Sequence, residues 1–289
     1  MKFSFRSSKA VFPKVSFLLL VVVFDTGQLS GSRAADRDMA IAASRMSQVI
    51  AHRGASAERP ECTLASVRRA IEVGATAAEV DVRTSKDGQL FILHDRTLDR
   101  TTNGKGPASS LTLAELQRLD AGSHFDKKYR GERMPSLIEV AELCRGKINL
   151  FLDLKEQGES YDRQVADVIR KHGDPARTLV GPHSVEQASR FRKLLPEAKQ
   201  LAIMPSVEDI EAFAETGADF VLIWSKWLAE VDEPVQRVRA AGMKLHLNQA
   251  TGELKNTLDL LAYQPDSIGT DDPKKLIETL KKIAEGGAF

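Results

Sequence analysis

The chain has 289 residues, with 41 Lys plus Arg against 40 Asp plus Glu, 42% hydrophobic residues, 19 Gly and 11 Pro. This composition excludes collagen-like and low-complexity chains, and a net charge of +1 excludes nucleic-acid binding through bulk electrostatics, so any phosphate it recognises must be held locally. The length is above the commonest domain size and suits the roughly 250 residues that an α/β barrel needs.

The first 34 residues differ from the rest. Lys2, Arg6, Lys9 and Lys14 precede an apolar run from Val15 to Phe24, which Asp25 ends before the stretch Ser32-Arg33-Ala34-Ala35. A basic head, a short apolar core and small residues predict a signal peptide cleaved near Ala34. A run of ten residues falls short of the ~20 that a membrane-spanning helix needs, and no Cys stands just after the run to carry a lipid. Export to the periplasm or beyond is expected, with no stable membrane anchor. The remainder would hold 36 basic and 39 acidic residues, a charge near −3. Cys62 and Cys144 have no zinc-binding spacing and read as buried free thiols.

From Ser47 onward, short runs rich in Val, Ile, Leu and Phe alternate with stretches of helical period. Eight strands are predicted: Gln48–Arg53, Ala78–Arg83, Ile148–Lys155, Leu179–His183, Gln200–Met204, Asp219–Trp224, Lys244–Asn248 and Ser267–Asp271. Between them lie predicted helices at Cys62–Val73, Tyr161–Lys171, Val185–Leu195, Val207–Thr216, Val231–Ala241 and Glu253–Leu261, with a last one at Pro273–Ala284. Eight β-then-α units over 47–289 predict a closed (β/α)8 TIM barrel. The alternative is a six-stranded doubly wound sheet, but no Gly-x-Gly-x-x-Gly follows the first strand. The rhythm breaks between the second and third strands, from Thr84 to Lys147, where an insertion of about 96–135 is expected on the face that carries barrel chemistry.

Glu79 and Asp81 stand two apart in a strand otherwise fit for burial, so both side chains point to one side. Buried together they would repel and raise each other's pKa, a conflict that a hard divalent cation with oxygen ligands resolves; salt bridges or a solvent-facing strand are the plainer alternative. Asp153 and Lys155 repeat the pattern at the end of the next strand, and a third acid with a lysine suits a cation holding a phosphate. His52 ends the first strand and His94 ends the apolar run Leu90 to Leu93, which makes them candidates for a general acid and base. Arg53 offers a planar fork to phosphate oxygens, or a partner to Glu61. His124, His172, His183 and His246 read as structural, and Trp224 and Trp227 as packing residues or a pocket wall.

In their order and spacing these pieces resemble one family. Ala51-His52-Arg53-Gly54-Ala55, Arg59-Pro60-Glu61-Cys62-Thr63-Leu64, Glu79-Val80-Asp81-Val82, His94-Asp95, Leu98-Asp99-Arg100-Thr101-Thr102-Asn103-Gly104 and Gly269-Thr270-Asp271-Asp272-Pro273 are similar to the motifs of the glycerophosphodiester phosphodiesterases. The resemblance implies a TIM barrel that hydrolyses glycerophosphodiesters, small-molecule substrates, to an alcohol and sn-glycerol 3-phosphate with a divalent cation, Ca2+ or Mg2+. It implies His52 and His94 as the acid/base pair, Arg53 and Lys155 at the phosphate, and Glu79, Asp81 and Asp153 on the metal. Three positions depart from the pattern. Cys62 stands where Asn is usual, Asp153 where Glu is common, and Leu245-His246-Leu247-Asn248 where Trp-Thr-Val-Asn is frequent. A metal-independent cyclising phospholipase C relative and a non-catalytic secreted binding protein are the alternatives carried forward.

Overall fold

A computed structural model describes residues 37–228 and 233–286. The predicted leader, 1–34, and the start of the helix predicted at Val231–Ala241 lie outside the described residues. Nine strands form one sheet: β1 Gln48–Ala51, β2 Ala77–Thr84, β3 Leu90–Ile92, β4 Asn149–Leu154, β5 Thr178–Gly181, β6 Lys199–Ala202, β7 Phe220–Ile223, β8 Lys244–Ala250 and β9 Ser267–Thr270. All but β3 are parallel to their neighbours, and β1 pairs with both β9 and β2, which closes the eight-stranded TIM barrel that the sequence predicts.

Alternation along each strand separates two cores. Outward residues such as Val80, Val82, Leu150, Leu152 and Val180 pack against the surrounding helices, while Ile50, Ala77, Phe151, Leu179, Leu201, Ile203, Phe220 and Leu222 fill the barrel interior. Gly181 belongs to that interior: a Cβ there would sit 2.9 Å from both Ile203 Cδ1 and Phe151 Cε2. Continued by two residues toward the strand C-terminal ends, the inward series gives His52 after Ile50, Asp81 after Glu79, Asp153 after Phe151, Trp224 after Leu222, Asn248 after His246 and Asp271 after Gly269. The site is therefore the top layer of the barrel filling, where period two places polar side chains instead of apolar ones.

The interval after β2 holds more regular structure than the sequence reading assigned. β3 folds back antiparallel on β2, with Val82 opposite Ile92 and Thr84 opposite Leu90. The helix Leu137–Cys144, absent from the predicted set, is the helix of the second unit; Ser136 caps it by accepting from the Glu139 N–H while Glu139 reaches back to the Ser136 N–H. What remains of the insertion has its own small core of Phe91, Leu93, Leu98, Leu116 and Met134. A helix over 37–45 was also not foreseen; its Ala42 and Ala43 pack with Leu276, Leu280 and Ile283 of the last helix, Pro273–Ala284. Among the described residues no helix is long and apolar enough to cross a membrane.

Candidate active site

The mouth of the barrel opens into a cavity of about 740 Å3 lined by His52, Arg53, Glu79, His94, Asp153, Lys155 and Asp271 on one side, and by Ile203, Leu222, Trp224, His246 and Asn248 on the other. All seven residues singled out by the sequence meet at this end of the barrel. Asp81 is the one not on the cavity wall, because it lies beneath it, 1% exposed.

β2 and β4 are in register with Asp81 opposite Asp153, so two carboxylates face each other across one strand spacing. With Glu79 they offer three oxygens within 4.8 Å of one another. Burial and the neighbouring Asp81 charge push the Glu79 carboxyl well above the usual carboxylate range. Burial would raise Asp153 too, but His183 and Lys155 outweigh it and hold its carboxyl low. Lys155 Nζ lies 2.9 Å from Asp81 Oδ1 and 2.5 Å from Asp153 Oδ2, and these two anions keep the buried ammonium charged. Asp81 Oδ1 is buried with no hydrogen bond that meets ordinary geometry among the described residues, and the Lys155 ammonium 2.9 Å away is its nearest counter-charge. A buried anionic oxygen without a donor, beside two more carboxylates, fits an oxygen-ligated divalent cation.

The two histidines share one arrangement. His52 Nδ1 lies 2.7 Å from Asp271 Oδ1, and His94 Nδ1 lies 2.8 Å from Asp95 Oδ1. An ionised carboxylate can only accept, so each imidazole carries its proton on Nδ1 and leaves Nε2 for chemistry. Burial works to lower the His52 pKa, but the bond to Asp271 and the charge of Glu79 together raise it. The backbone places His94: Leu93 N–H donates to Asp81 O at 3.0 Å, and the Arg83 guanidinium holds His94 O at 2.5 Å.

Arg53 has a left-handed backbone, φ 54°, which aims its N–H at Glu79 Oε2, 2.6 Å away. Its Nη1 pairs with Glu61 at 2.9 Å, as the plainer reading expects, while its Nε is buried with no hydrogen bond among the described residues and lies 3.9 Å from Asp81 Oδ2. The sequence reading missed Arg100. Its guanidinium donates to both oxygens of Glu61, at 2.7 and 2.8 Å, and to both of Asp95, at 2.7 and 3.1 Å. Arg100 thereby ties the partner of Arg53 to the partner of His94. Asp95 and Asp271 were visible only as neighbours within motifs. No periodic signal marks them as the groups that hold the imidazoles.

Two histidines set aside as structural line up differently. His183, in the loop after β5, has its Nε2 2.7 Å from Asp153 Oδ1 and so pairs with an acid of the cluster. His246 is buried between Ser267 Oγ, 2.7 Å from Nδ1, and Asn248 Oδ1, 3.1 Å from Nε2, and burial lowers its pKa to about 4. Asn248 comes so close to the backbone of β9 that a Cβ at Gly269 would stand 1.8 Å from its Oδ1. His172 pairs with Glu142 at the surface, 2.7 Å apart. Cys62 and Cys144 are free and buried. Cys62, at φ 57°, donates its thiol to Asp81 Oδ2 at 3.2 Å, where the family pattern has an amide.

A closed β/α barrel with two histidines, an arginine, a lysine and three clustered carboxylates gathered at its strand C-terminal ends has the layout of a hydrolytic enzyme for anionic esters. Sequence comparison gives the family. Residues 52–275 match the model of the glycerophosphoryl diester phosphodiesterase family, and the chain belongs to that family. A glycerophosphodiester phosphodiesterase of Caldanaerobacter subterraneus is 32% identical over 81% of this chain and 98% of its own length. A putative glycerophosphodiester phosphodiesterase of Bacillus subtilis is 37% identical over 80% and 96%. Among solved structures, an Oleispira antarctica phosphodiesterase in complex with the product sn-glycerol-3-phosphate superposes with a TM-score of 0.70 at 29% identity, covering 83% of this chain and 99% of that one.

Proposed function

We propose that this enzyme hydrolyses glycerophosphodiesters to an alcohol and sn-glycerol 3-phosphate, with His52 and His94 as acid and base and a divalent cation on Glu79, Asp81 and Asp153. The observation that carries the reading is the convergence on one cavity of two carboxylate-held imidazoles and a three-carboxylate cluster containing an unsatisfied buried oxygen. Family membership and the product complex of the Oleispira relative support the substrate class.

The roles follow from the hydrogen bonds. One imidazole Nε2, oriented by the carboxylate on its Nδ1–H, takes the proton of the attacking hydroxyl as that oxygen bonds to phosphorus; the other, protonated, gives its proton to the departing alkoxide as the P–O bond breaks. Arg53 offers its guanidinium, and Lys155 its ammonium, to the non-bridging phosphate oxygens from the cavity wall. The cation, when bound, supplies charge that stabilises the oxygens of the transition state. We further propose that the chain is exported, on the basic head and apolar run of residues 1–34. A small anionic substrate fits an enzyme whose positive charge is concentrated at Arg53, Lys155 and a cation.

The test is a panel of glycerophosphocholine, glycerophosphoethanolamine and glycerophosphoglycerol assayed with Mg2+, Mn2+, Ca2+ or EDTA, with release of sn-glycerol 3-phosphate as the readout. Metal-dependent release is expected. Full activity in EDTA would point instead to the metal-independent cyclising chemistry, and no release under any condition would favour a binding protein.

A further inference from the structure

Arg100 lies outside the cavity wall, yet it is bonded to the partners of two residues on that wall. Its Nε and Nη2 donate to Asp95 Oδ2 and Oδ1 at 2.7 and 3.1 Å, and its Nη1 and Nη2 donate to Glu61 Oε2 and Oε1 at 2.7 and 2.8 Å. Asp95 Oδ1 is also the atom that His94 Nδ1 meets at 2.8 Å, and Glu61 Oε1 the atom that Arg53 Nη1 meets at 2.9 Å. One nitrogen, Arg100 Nη2, therefore touches both oxygens on which the two active-site groups rest. A planar guanidinium can serve two carboxylates in this way, whereas an ammonium donates from a single point.

The charges agree with the geometry. The bond to Arg100 is the main cause that holds the Asp95 carboxyl well below the usual range. Burial would raise Glu61, but the bond to Arg100 and the charge of Arg53 outweigh it and bring it low. Both carboxylates thus stay ionised and can only accept near neutral pH.

The fork itself stands on the insertion. Leu98, two residues before it, is buried in the insertion core with Leu116 and Met134. Thr102, two residues after it, donates both its N–H, at 3.2 Å, and its hydroxyl, at 2.7 Å, to Leu98 O. Asn103 N–H donates to Asp120 O at 3.1 Å, and Asp120 N–H returns to Asn103 Oδ1 at 2.9 Å. The backbone that carries Arg100 is closed on both sides.

We propose that Arg100 is a positioning residue for both halves of the reaction: through Asp95 it fixes the His94 imidazole, and through Glu61 it fixes the Arg53 guanidinium. One side chain of the insertion then sets proton transfer and phosphate binding together. The inference rests on the roles given to His94 and Arg53 above and goes beyond them in naming the group that couples them.

The two branches act on different kinetic constants. Without Arg100, Asp95 is free to turn into water, and His94 loses its fixed tautomer and aim, which lowers kcat. A loosened Glu61 leaves Arg53 poorly placed for the phosphate, which raises KM. Misplacing a reacting group by about 1 Å costs ~10²-fold.

The experiment is steady-state release of sn-glycerol 3-phosphate from glycerophosphocholine by the full chain, arranged as double-mutant cycles. Arg100→Met should lower kcat by ~10–100-fold and raise KM. In a His94→Ala background the same change should leave kcat within about twofold, because the group it acts through is gone, while KM still rises. In a Glu61→Ala background the rise in KM should disappear instead. Guanidinium chloride, at concentrations that leave the fold intact, should restore kcat to Arg100→Ala, since the side chain it replaces is 46% exposed, and should do nothing when His94→Ala is also present. Arg100→Lys keeps a cation without the fork; it should show the same split and keeps the test informative if the Met variant does not fold. Unchanged kcat and KM in folded Arg100→Met, or a kcat loss as large in the His94→Ala background as in the wild type, would overturn the proposal. A wild type that releases no sn-glycerol 3-phosphate would overturn the hydrolytic reading and this inference with it, whereas an active wild type indifferent to Arg100 overturns this inference alone.

Discussion

Replacing Lys155 by Met tests whether the acidic cluster is as poorly solvated as its geometry implies. The ammonium is 15% exposed and stands 2.9 Å from Asp81 Oδ1 and 2.5 Å from Asp153 Oδ2, with Asp81 itself 1% exposed. Met keeps the volume of the stem and removes the charge, so the loss is that of a buried ion pair broken from one side, about 3–5 kcal/mol, because two carboxylates then remain uncompensated. On the proposed reading a divalent cation would neutralise the same oxygens. A ligand at 100 times its Kd adds about 2.7 kcal/mol, so Mn2+ should return the variant most of the way to the stability of the wild type in EDTA. The assay is guanidinium unfolding of wild type and Lys155→Met in EDTA and in excess Mn2+, comparing midpoints at equal slope. A deficit in EDTA below about 1 kcal/mol would refute the reasoning, since it would mean that water, and not Lys155, satisfies the cluster.

His52→Ala or His94→Ala should each lower kcat by ~10²–10⁴ in the glycerol 3-phosphate assay, and full activity in either would remove that histidine from the acid/base pair. Asp271→Asn should shift the limb of the pH–rate profile that His52 sets toward lower pH, because the Asp271 bond helps to raise the His52 pKa. The linkage has the matching sign. Protonated His52 stabilises the fold fully below its unfolded pKa, near 6.5, and that contribution fades as pH rises through the higher folded value, so urea midpoints of wild type and Asp271→Asn should converge on the alkaline side. Cys62→Asn should raise stability by roughly 0.5–1 kcal/mol, since Asn tolerates the φ of 57° better and its amide is a stronger donor to Asp81 than a thiol. Burial pushes the Cys62 thiol well up and that of Cys144 up to about 12, so neither should react with a disulfide reagent at pH 8 before the protein unfolds.

The barrel was legible because its eight parallel strands are buried on both faces and read as apolar runs, and because helical stretches separate them at regular intervals. The element that the sequence reading passed over, the helix Leu137–Cys144, lies just beyond a polar insertion. Without packing information, a run of eight residues there reads as part of the loop. Its signal was nonetheless present in Ser136 and Glu139, the two ends of a reciprocal cap. β3 was seen as an apolar run, Leu90 to Leu93, but a three-residue strand is defined by its partner, and pairing with β2 is not encoded in period.

The site separates along the same line. Glu79, Asp81, Asp153 and Lys155 could be placed from sequence because acids and a lysine at period two inside apolar strands have nowhere to point but inward. Arg100, Asp271 and His183 could not, for they act on residues 39, 219 and 30 positions away, and nothing local in their surroundings distinguishes them from surface charges. The long-range group carries the finer geometry: Asp271 fixes which nitrogen of His52 is free, and His183 engages one oxygen of Asp153. A strand pattern can therefore deliver the reacting groups to one place, while their protonation and their number of free lone pairs depend on loops that only the closed barrel brings together. On the proposed metal-dependent reading, exchanging Asp81 for an apolar residue should therefore abolish cation-dependent release of sn-glycerol 3-phosphate in any loop background, whereas exchanging His183, which touches one oxygen of one carboxylate, should leave the barrel folded.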